Sequence, residues 1–288
     1  MTDISSQVQE LSPKEIQKIF ASIDIPPCPT IVIKTLEESV KKEPDLHKLV
    51  TLIMTDAGFS SAILKLANSA LYSGGNKFPN VRKAAERLGM EITISTVLEI
   101  ALRNTGDGNN SEWMDKFWEK QRKIAFASTK IARFQEFAPP DLIYTYGLFR
   151  DASIPLMMKK IPEYQKIVFE GIKNGKSRIQ IEEENFPCTH PLVGGLLLKE
   201  WGLPALLGMA IRFQHDHNVY SWSSNSLPDS VRALIAIADL AEYLLAETDP
   251  SFESEVNQDV FEKAIQILHF DENTMAKIRE KIQVMLES

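Results

Sequence analysis

Asp56-Ala57-Gly58-Phe59, with Leu66-Ala67-Asn68-Ser69-Ala70-Leu71-Tyr72 close behind it, is the stretch on which the reading of this chain turns. Apolar residues recur through it at three- and four-residue spacing, which predicts one long helix over Ala57–Leu71 rather than a strand. The small residues Ala67, Ser69 and Ala70 permit close helix approach. An Asn among them can tie neighbouring backbones by hydrogen bonds, so Asn68 and Ser69 read as structural glue before ligand contacts.

The same periodicity runs outward in both directions. Glycine is scarce, at 13 of 288 residues, and no strand alternation stands out, so the expected class is all-α. Ser12-Pro13-Lys14-Glu15 is a helix start, with a hydroxyl cap, a proline at the first helical position and a reciprocal Glu, for a helix ending near Ser22. Pro26-Pro27-Cys28-Pro29 forces an extended entry to a helix whose face is Ile31, Ile33, Leu36 and Val40. Pro44-Asp45 ends that helix and caps the next, over 46–54. A helix over 80–88 stops at Gly89, and another spans 91–104. Thr105-Gly106-Asp107-Gly108-Asn109-Asn110-Ser111 is linker-like and places a boundary. Beyond it helices are expected to about 137, then over 141–158, 163–174, 178–185, 190–201, 204–217, 228–247, 256–268 and 272–287.

Net charge is −7, and the excess acid lies after residue 104, since the first 104 residues carry equal numbers of basic and acidic side chains. Neither part has the basic excess that phosphate-backbone binding draws on, so no nucleic acid is expected as a partner. No apolar run is long enough to cross a membrane, and the N-terminus lacks a secretory signal, which makes the cytoplasm the expected location. The two cysteines, Cys28 and Cys188, have no metal-ligand spacing.

No GxGxxG, Walker loop, GxSxG or HExxH occurs. Of five histidines, His190, His215 and His217 cluster in one region, with His190 at a helix start and His215 and His217 at a helix end. Two imidazoles from successive helices could meet there and bind a metal, or serve as caps and surface groups. Asp239 lies in the apolar run Ala233–Leu240 and either faces a partner or points to solvent. Glu182-Glu183-Glu184 and Met157-Met158-Lys159-Lys160 read as solvated helix faces with buried flanks.

Together these residues resemble the HDOD domains of bacterial signalling proteins, relatives of the HD-type metal-dependent phosphohydrolases. The likeness is carried by Ile25-Pro26-Pro27-Cys28-Pro29, by the 56–72 signature, by Ala84-Ala85-Glu86-Arg87-Leu88-Gly89-Met90, and by His190-Pro191-Leu192-Val193-Gly194 through Pro204 and Ile211–Asp216. It covers about 23–247. It implies an N-terminal helical subdomain (23–104) packed on a degenerate HD-like helical subdomain (111–247), with an N-terminal helix (1–22) and C-terminal helices (248–288) outside the match. Those last helices would cover the second part or mediate self-association.

HD-type enzymes hold divalent metal with a His, a His-Asp doublet, further His residues and a late Asp. In this sequence Lys120 is similar in place to the first His, the doublet reads Arg150-Asp151, the next His is His190, the later pair reads Gln214-His215, and the late Asp is Asp239. Two neutral donors have become two cations, which offer no lone pair and repel a metal. The resemblance therefore implies a non-catalytic signal-transduction module that acts through other signalling proteins and needs no cofactor. In it Arg150 or Lys120 neutralises Asp151 and Asp239, or the long side chains reach solvent and the pocket is collapsed. The alternative is a metal-dependent phosphohydrolase with an altered ligand set, one divalent ion being held by Asp151, His190, His215 and Asp239, with or without His217.

Overall fold

The computed structural model describes residues 23–287 apart from 24, 40, 105–111, 136–137, 139, 217 and 225, and contains no strand among them. The expected helix over 13–22, the linker at 105–111 and His217 lie outside the described residues. After Ile25–Pro29, which have no regular secondary structure, come α1 (Thr30–Ser39), α2 (Leu46–Ile53), α3 (Ala57–Ala67), the short α4 (Ala70–Ser73) and α5 (Val81–Asn104). Asp45 caps α2 by accepting from the His47 and Lys48 amides. Asp56 caps α3 in the same way, from Gly58 and Phe59.

The helix expected over Ala57–Leu71 is interrupted. Ser69 is extended at φ −71°, ψ 158°, and separates α3 from α4. The reason is local competition for backbone groups. Asn68 Nδ2 donates to the Leu64 and Phe78 carbonyls at 2.9 and 3.0 Å, its Oδ1 accepts from the Phe78 amide at 2.8 Å, and Ser69 Oγ donates to Leu66 O at 2.7 Å. The expected stop at Gly89 is a kink within α5, at φ 80°, ψ 174°, a conformation that is essentially open to glycine alone.

The second part comprises α6 (Glu112–Ile131), α7 (Pro140–Phe149), α8 (Ile154–Lys160), α9 (Tyr164–Lys173), α10 (Arg178–Asn185), α11 (His190–Glu200), α12 (Ala205–Phe213), α13 (Asp229–Thr248), α14 (Gln258–Ile267) and α15 (Glu272–Glu287). Two expected spans are corrected. The helix over 141–158 is two, because Pro155 in the first turn of α8 has no amide and its ring excludes the carbonyl four residues back. Arg150 and Asp151 sit in the resulting break. The helix over 204–217 ends at Phe213, which leaves Gln214 and His215 just past its terminus.

Helices α6 and α7 form the floor of the second part. They approach so closely at Gly147 that an added Cβ would lie 2.7 Å from the Ala125 Cα. Gly147→Val is therefore expected to force the helices apart and lower stability by about 1–3 kcal/mol. An unchanged urea midpoint would show that this approach is not needed.

The two parts share one continuous apolar core. Polar bonds cross the seam as well: Tyr72 Oη to Tyr144 Oη at 2.7 Å, Ser95 Oγ to Thr145 Oγ1 at 2.8 Å, and Arg122 to Glu99 at 2.6 Å. The proline-rich entry belongs to this seam too, since Trp201 Nε1 donates to the Pro26 carbonyl at 3.0 Å. The last helices cover the second part, α14 packing on α13 through the Tyr243–Phe261 ring stack and α15 on α6 and α13. Among the described residues no helix is long and apolar enough to cross a membrane.

Candidate functional site

The break between α7 and α8 projects Arg150 and Asp151 toward α6, α12 and α13. Arg150 is 2% exposed, and each of its three guanidinium nitrogens donates to a side chain. Nη2 donates to Asp239 Oδ1 at 2.9 Å, Nη1 to Glu242 Oε2 at 2.7 Å, and Nε to Gln214 Oε1 at 3.3 Å. Asp239 and Glu242 are three residues apart on α13 and so share one face. The second Asp239 oxygen accepts from Tyr220 Oη at 2.5 Å. The second Glu242 oxygen accepts from the Glu255 amide at 3.1 Å and faces Lys120 Nζ at 3.6 Å. Lys120 also lies over the Phe252 ring.

Burial opposes charge on every member of this network, and charged partners decide the balance. For Arg150 the carboxylates of Glu242 and Asp239 outweigh burial and hold the guanidinium well above its ordinary pKa. At Glu242 burial is outweighed by Arg150 and Lys120, which hold the carboxyl below its ordinary value. At Asp239 burial prevails over Arg150 and pushes the carboxyl up.

Asp151 turns the other way. Its Oδ2 accepts from Gln121 Nε2 and its Oδ1 from Gln214 Nε2, both at 3.2 Å, and Oδ1 lies 3.4 Å from His190 Nε2 and 3.8 Å from His215 Nε2. The two imidazoles meet, with Nε2 to Nε2 at 3.0 Å. The expectation that Arg150 or Lys120 neutralises both acids is thus corrected. Arg150 takes Asp239, whereas Asp151 is balanced by histidine, because the helix break directs adjacent side chains to opposite partners.

Behind His190 stands Glu182, 0% exposed, whose Oε2 lies 2.8 Å from both His190 Nδ1 and the His190 amide. Tyr164 Oη donates to the same carboxylate. Reading Glu182-Glu183-Glu184 as wholly solvated is corrected here, since Glu183 and Glu184 are exposed but Glu182 packs inward beside Ile181. The capping box at Ser177 and Gln180 sets where α10 begins and hence which of its faces is buried. It was the available signal for Glu182, as the three-residue spacing from Asp239 was for Glu242. Tyr164, Tyr220 and Gln121 carry no such signal in sequence.

These contacts tune the imidazole. Burial opposes protonation of His190, but the Glu182 charge and the hydrogen bonds to Asp151 and Glu182 outweigh it and bring its pKa up to about 9. In turn, His190 and His215 outweigh the burial of Asp151 and hold its carboxyl well below the usual range. At neutral pH His190 is therefore an imidazolium between two carboxylates.

Asp151, His190 and His215 each offer an atom within 4.8 Å of the others, enough for three donors to one ion. The orientation of His190 by Glu182 is also what a metal-bound imidazole requires. Asp239, the fourth residue of the expected set, is not among them, its oxygens being used by Arg150 and Tyr220. The cations at 120 and 150 are bound instead to Glu242 and Asp239, on the far side of the Arg150–Asp151 break from these three donors. A cavity of about 860 Å³ lies elsewhere, between α3–α5, α6 and the ends of α13 and α15, lined in part by Ser69, Tyr72, Glu99 and Arg122.

The profile of the HDOD domain matches residues 25–217, two thirds of the chain. The protein belongs to the HDOD family. Solved structures share the fold of this HDOD chain over nearly its whole length. An HDOD domain protein of unknown function from Geobacter sulfurreducens is 20% identical, with a TM-score of 0.66 over 98% of this chain and 99% of that one. A candidate phosphohydrolase from Shewanella amazonensis SB2B is 19% identical, with a TM-score of 0.70 over 95% and 94%. A candidate signal transduction protein from Marinobacter aquaeolei VT8 is 17% identical, with a TM-score of 0.72, and this chain covers 61% of it. No curated protein matches the sequence.

Proposed function

We propose that this HDOD protein is a non-catalytic signal-transduction module that works through protein–protein contacts, its HD-like site converted into a structural core. One observation carries the reading: the buried Arg150 guanidinium, bonded to Asp239 and Glu242, stands where the family's doublet would place a neutral imidazole ligand. A fixed organic cation thereby supplies the positive centre that a divalent ion supplies in the HD enzymes. The 860 Å³ cavity is lined by none of Asp151, His190, His215 or Asp239, which supports the same reading. Its partners are other signalling proteins, with the cytoplasm as the proposed setting.

The Asp151–His190–His215 cluster favours a second reading, a phosphohydrolase with an altered ligand set. Elemental analysis of the purified protein and of Asp151→Ala, together with a phosphodiester and phosphomonoester assay in added Mn, Fe, Ni, Zn or Mg, separates the two. Metal well below one equivalent, unchanged by the substitution, with no metal-dependent hydrolysis, is the expected outcome. Near-stoichiometric metal that is lost in Asp151→Ala, with hydrolysis lost alongside it, would overturn the proposal.

A further inference from the structure

Helix α9 buries Tyr164 and Val168 and turns a different kind of face outward. Phe169 is 70% exposed and Ile172 46%. Among the described residues the other large apolar side chains so exposed, Ile33, Met54 and Val284, lie on other helices or helix ends, so this is the one helix that carries two. At about 100° per residue, Gln165, Lys166, Ile172 and Lys173 all fall within about 60° of Phe169 on the helix surface. All of them are exposed, and neither Lys166 nor Lys173 is held in an ion pair among the described residues. The face is therefore an apolar pair at i, i+3 with two free cations beside it, on a protein of net charge −7.

We infer that this face of α9 docks an acidic amphipathic helix of a partner protein, whose apolar residues cover Phe169 and Ile172 and whose carboxylates meet Lys166 and Lys173. The i, i+3 spacing suits a second helix laid along the first. Charge complementarity selects an acidic partner, and specificity follows because a basic one would leave the lysines opposed. An anionic membrane fits less well. A lipid plane would confront the rest of a protein of net charge −7 as well, whereas a single helix covers only this face.

The helix presenting this face is anchored from below. Tyr164 stacks on Phe186 at 5.0 Å, and its hydroxyl donates to Glu182, the carboxylate that also holds His190. The face is thereby mounted on the same buried network as the converted site.

This inference rests on the protein–protein reading, yet the two fail separately. Metal and hydrolysis report on Asp151, whereas peptide binding reports on α9. The probe is a fluorescein-labelled helical peptide with leucines on one face and glutamates on the other, compared by anisotropy with the same peptide carrying lysines. The full chain is expected to bind the glutamate peptide at least tenfold more tightly. Phe169→Ser should lose that binding at least tenfold, and Phe169→Leu should keep it. The double variant Lys166→Glu, Lys173→Glu should reverse the preference toward the lysine peptide. These exposed substitutions should leave the thermal melt unmoved.

Equal binding of both peptides, no binding of either, or wild-type binding by Phe169→Ser would each overturn the inference. So would binding to phosphatidylserine vesicles without peptide binding, which assigns the face to a membrane. Self-association in sedimentation that Phe169→Ser abolishes would assign it to a second copy and overturn the inference equally.

Discussion

Arg150→Ala should lower the unfolding free energy by about 3–5 kcal/mol, the cost typical of removing one member of a buried ionic cluster. The substitution strips Asp239 and Glu242, 2% and 4% exposed, of the cation each is bonded to. It also removes the donor to Gln214 and leaves a void at a fully packed position. Lys120 cannot substitute, because it stands 3.6 Å from Glu242 and reaches it from the partly exposed side. A companion variant separates charge from volume. Arg150→Met combined with Asp239→Asn and Glu242→Gln retains bulk, removes all three charges, and should regain most of the loss. Urea unfolding of the three proteins measures both effects. If Arg150→Ala unfolds at the wild-type midpoint, the network is not what holds α7 to α13, and the converted-site reading loses its support.

The second large effect is a dependence on pH that runs through His190. Its pKa rises from 6.5 to about 9 on folding, so the folded state binds the proton more tightly than the unfolded chain does. That contribution is complete below about pH 6.5 and is lost as pH climbs through about 9, amounting to about 3 kcal/mol at 1.36 kcal/mol per pKa unit. His190 is 0% exposed, so solvent screening removes little of it.

Asp151 and Glu182 act in the opposite sense. Both are held below their ordinary pKa, burial being outweighed by His190 in each case. Their contribution is present above the unfolded carboxylate range and is lost as pH falls below roughly 4. The stability gap between wild type and His190→Asn should therefore be widest around pH 5–6.5 and shrink steadily toward pH 9. A gap that stays constant across that range would mean His190 is not charged in the folded protein.

Much of this architecture is written locally. Capping aspartates at 45 and 56, the glycine at 89 and the apolar spacing of each helix act over a few residues, within reach of one-dimensional reading. Where local reading failed, it failed at competing local signals. Asn68 and Ser69 lie in a helical pattern, but their side chains take up carbonyls of α3's last turn and Asn68 also bonds Phe78 beyond it, and Pro155 divides a stretch whose periodicity is continuous. The residues of the altered site were legible because the family resemblance assigns them places: Lys120, Arg150, Asp151, His190, Gln214, His215 and Asp239.

By itself the sequence determined the all-helical class, the family, and the presence of two cations, Lys120 and Arg150, where the resemblance implies imidazoles, since each depends on residue identity and near-neighbour spacing. Only the tertiary structure decided who pairs with whom. Arg150 and Asp151 are adjacent in the chain, yet one meets α13, 89 and 92 residues on, and the other meets His190 and His215. Glu182 became buried, and Glu242 became a ligand of arginine, because helices distant in sequence close around them. Which carboxylate a buried cation neutralises is a matter of a few ångströms, and only the packing of the whole core sets those distances.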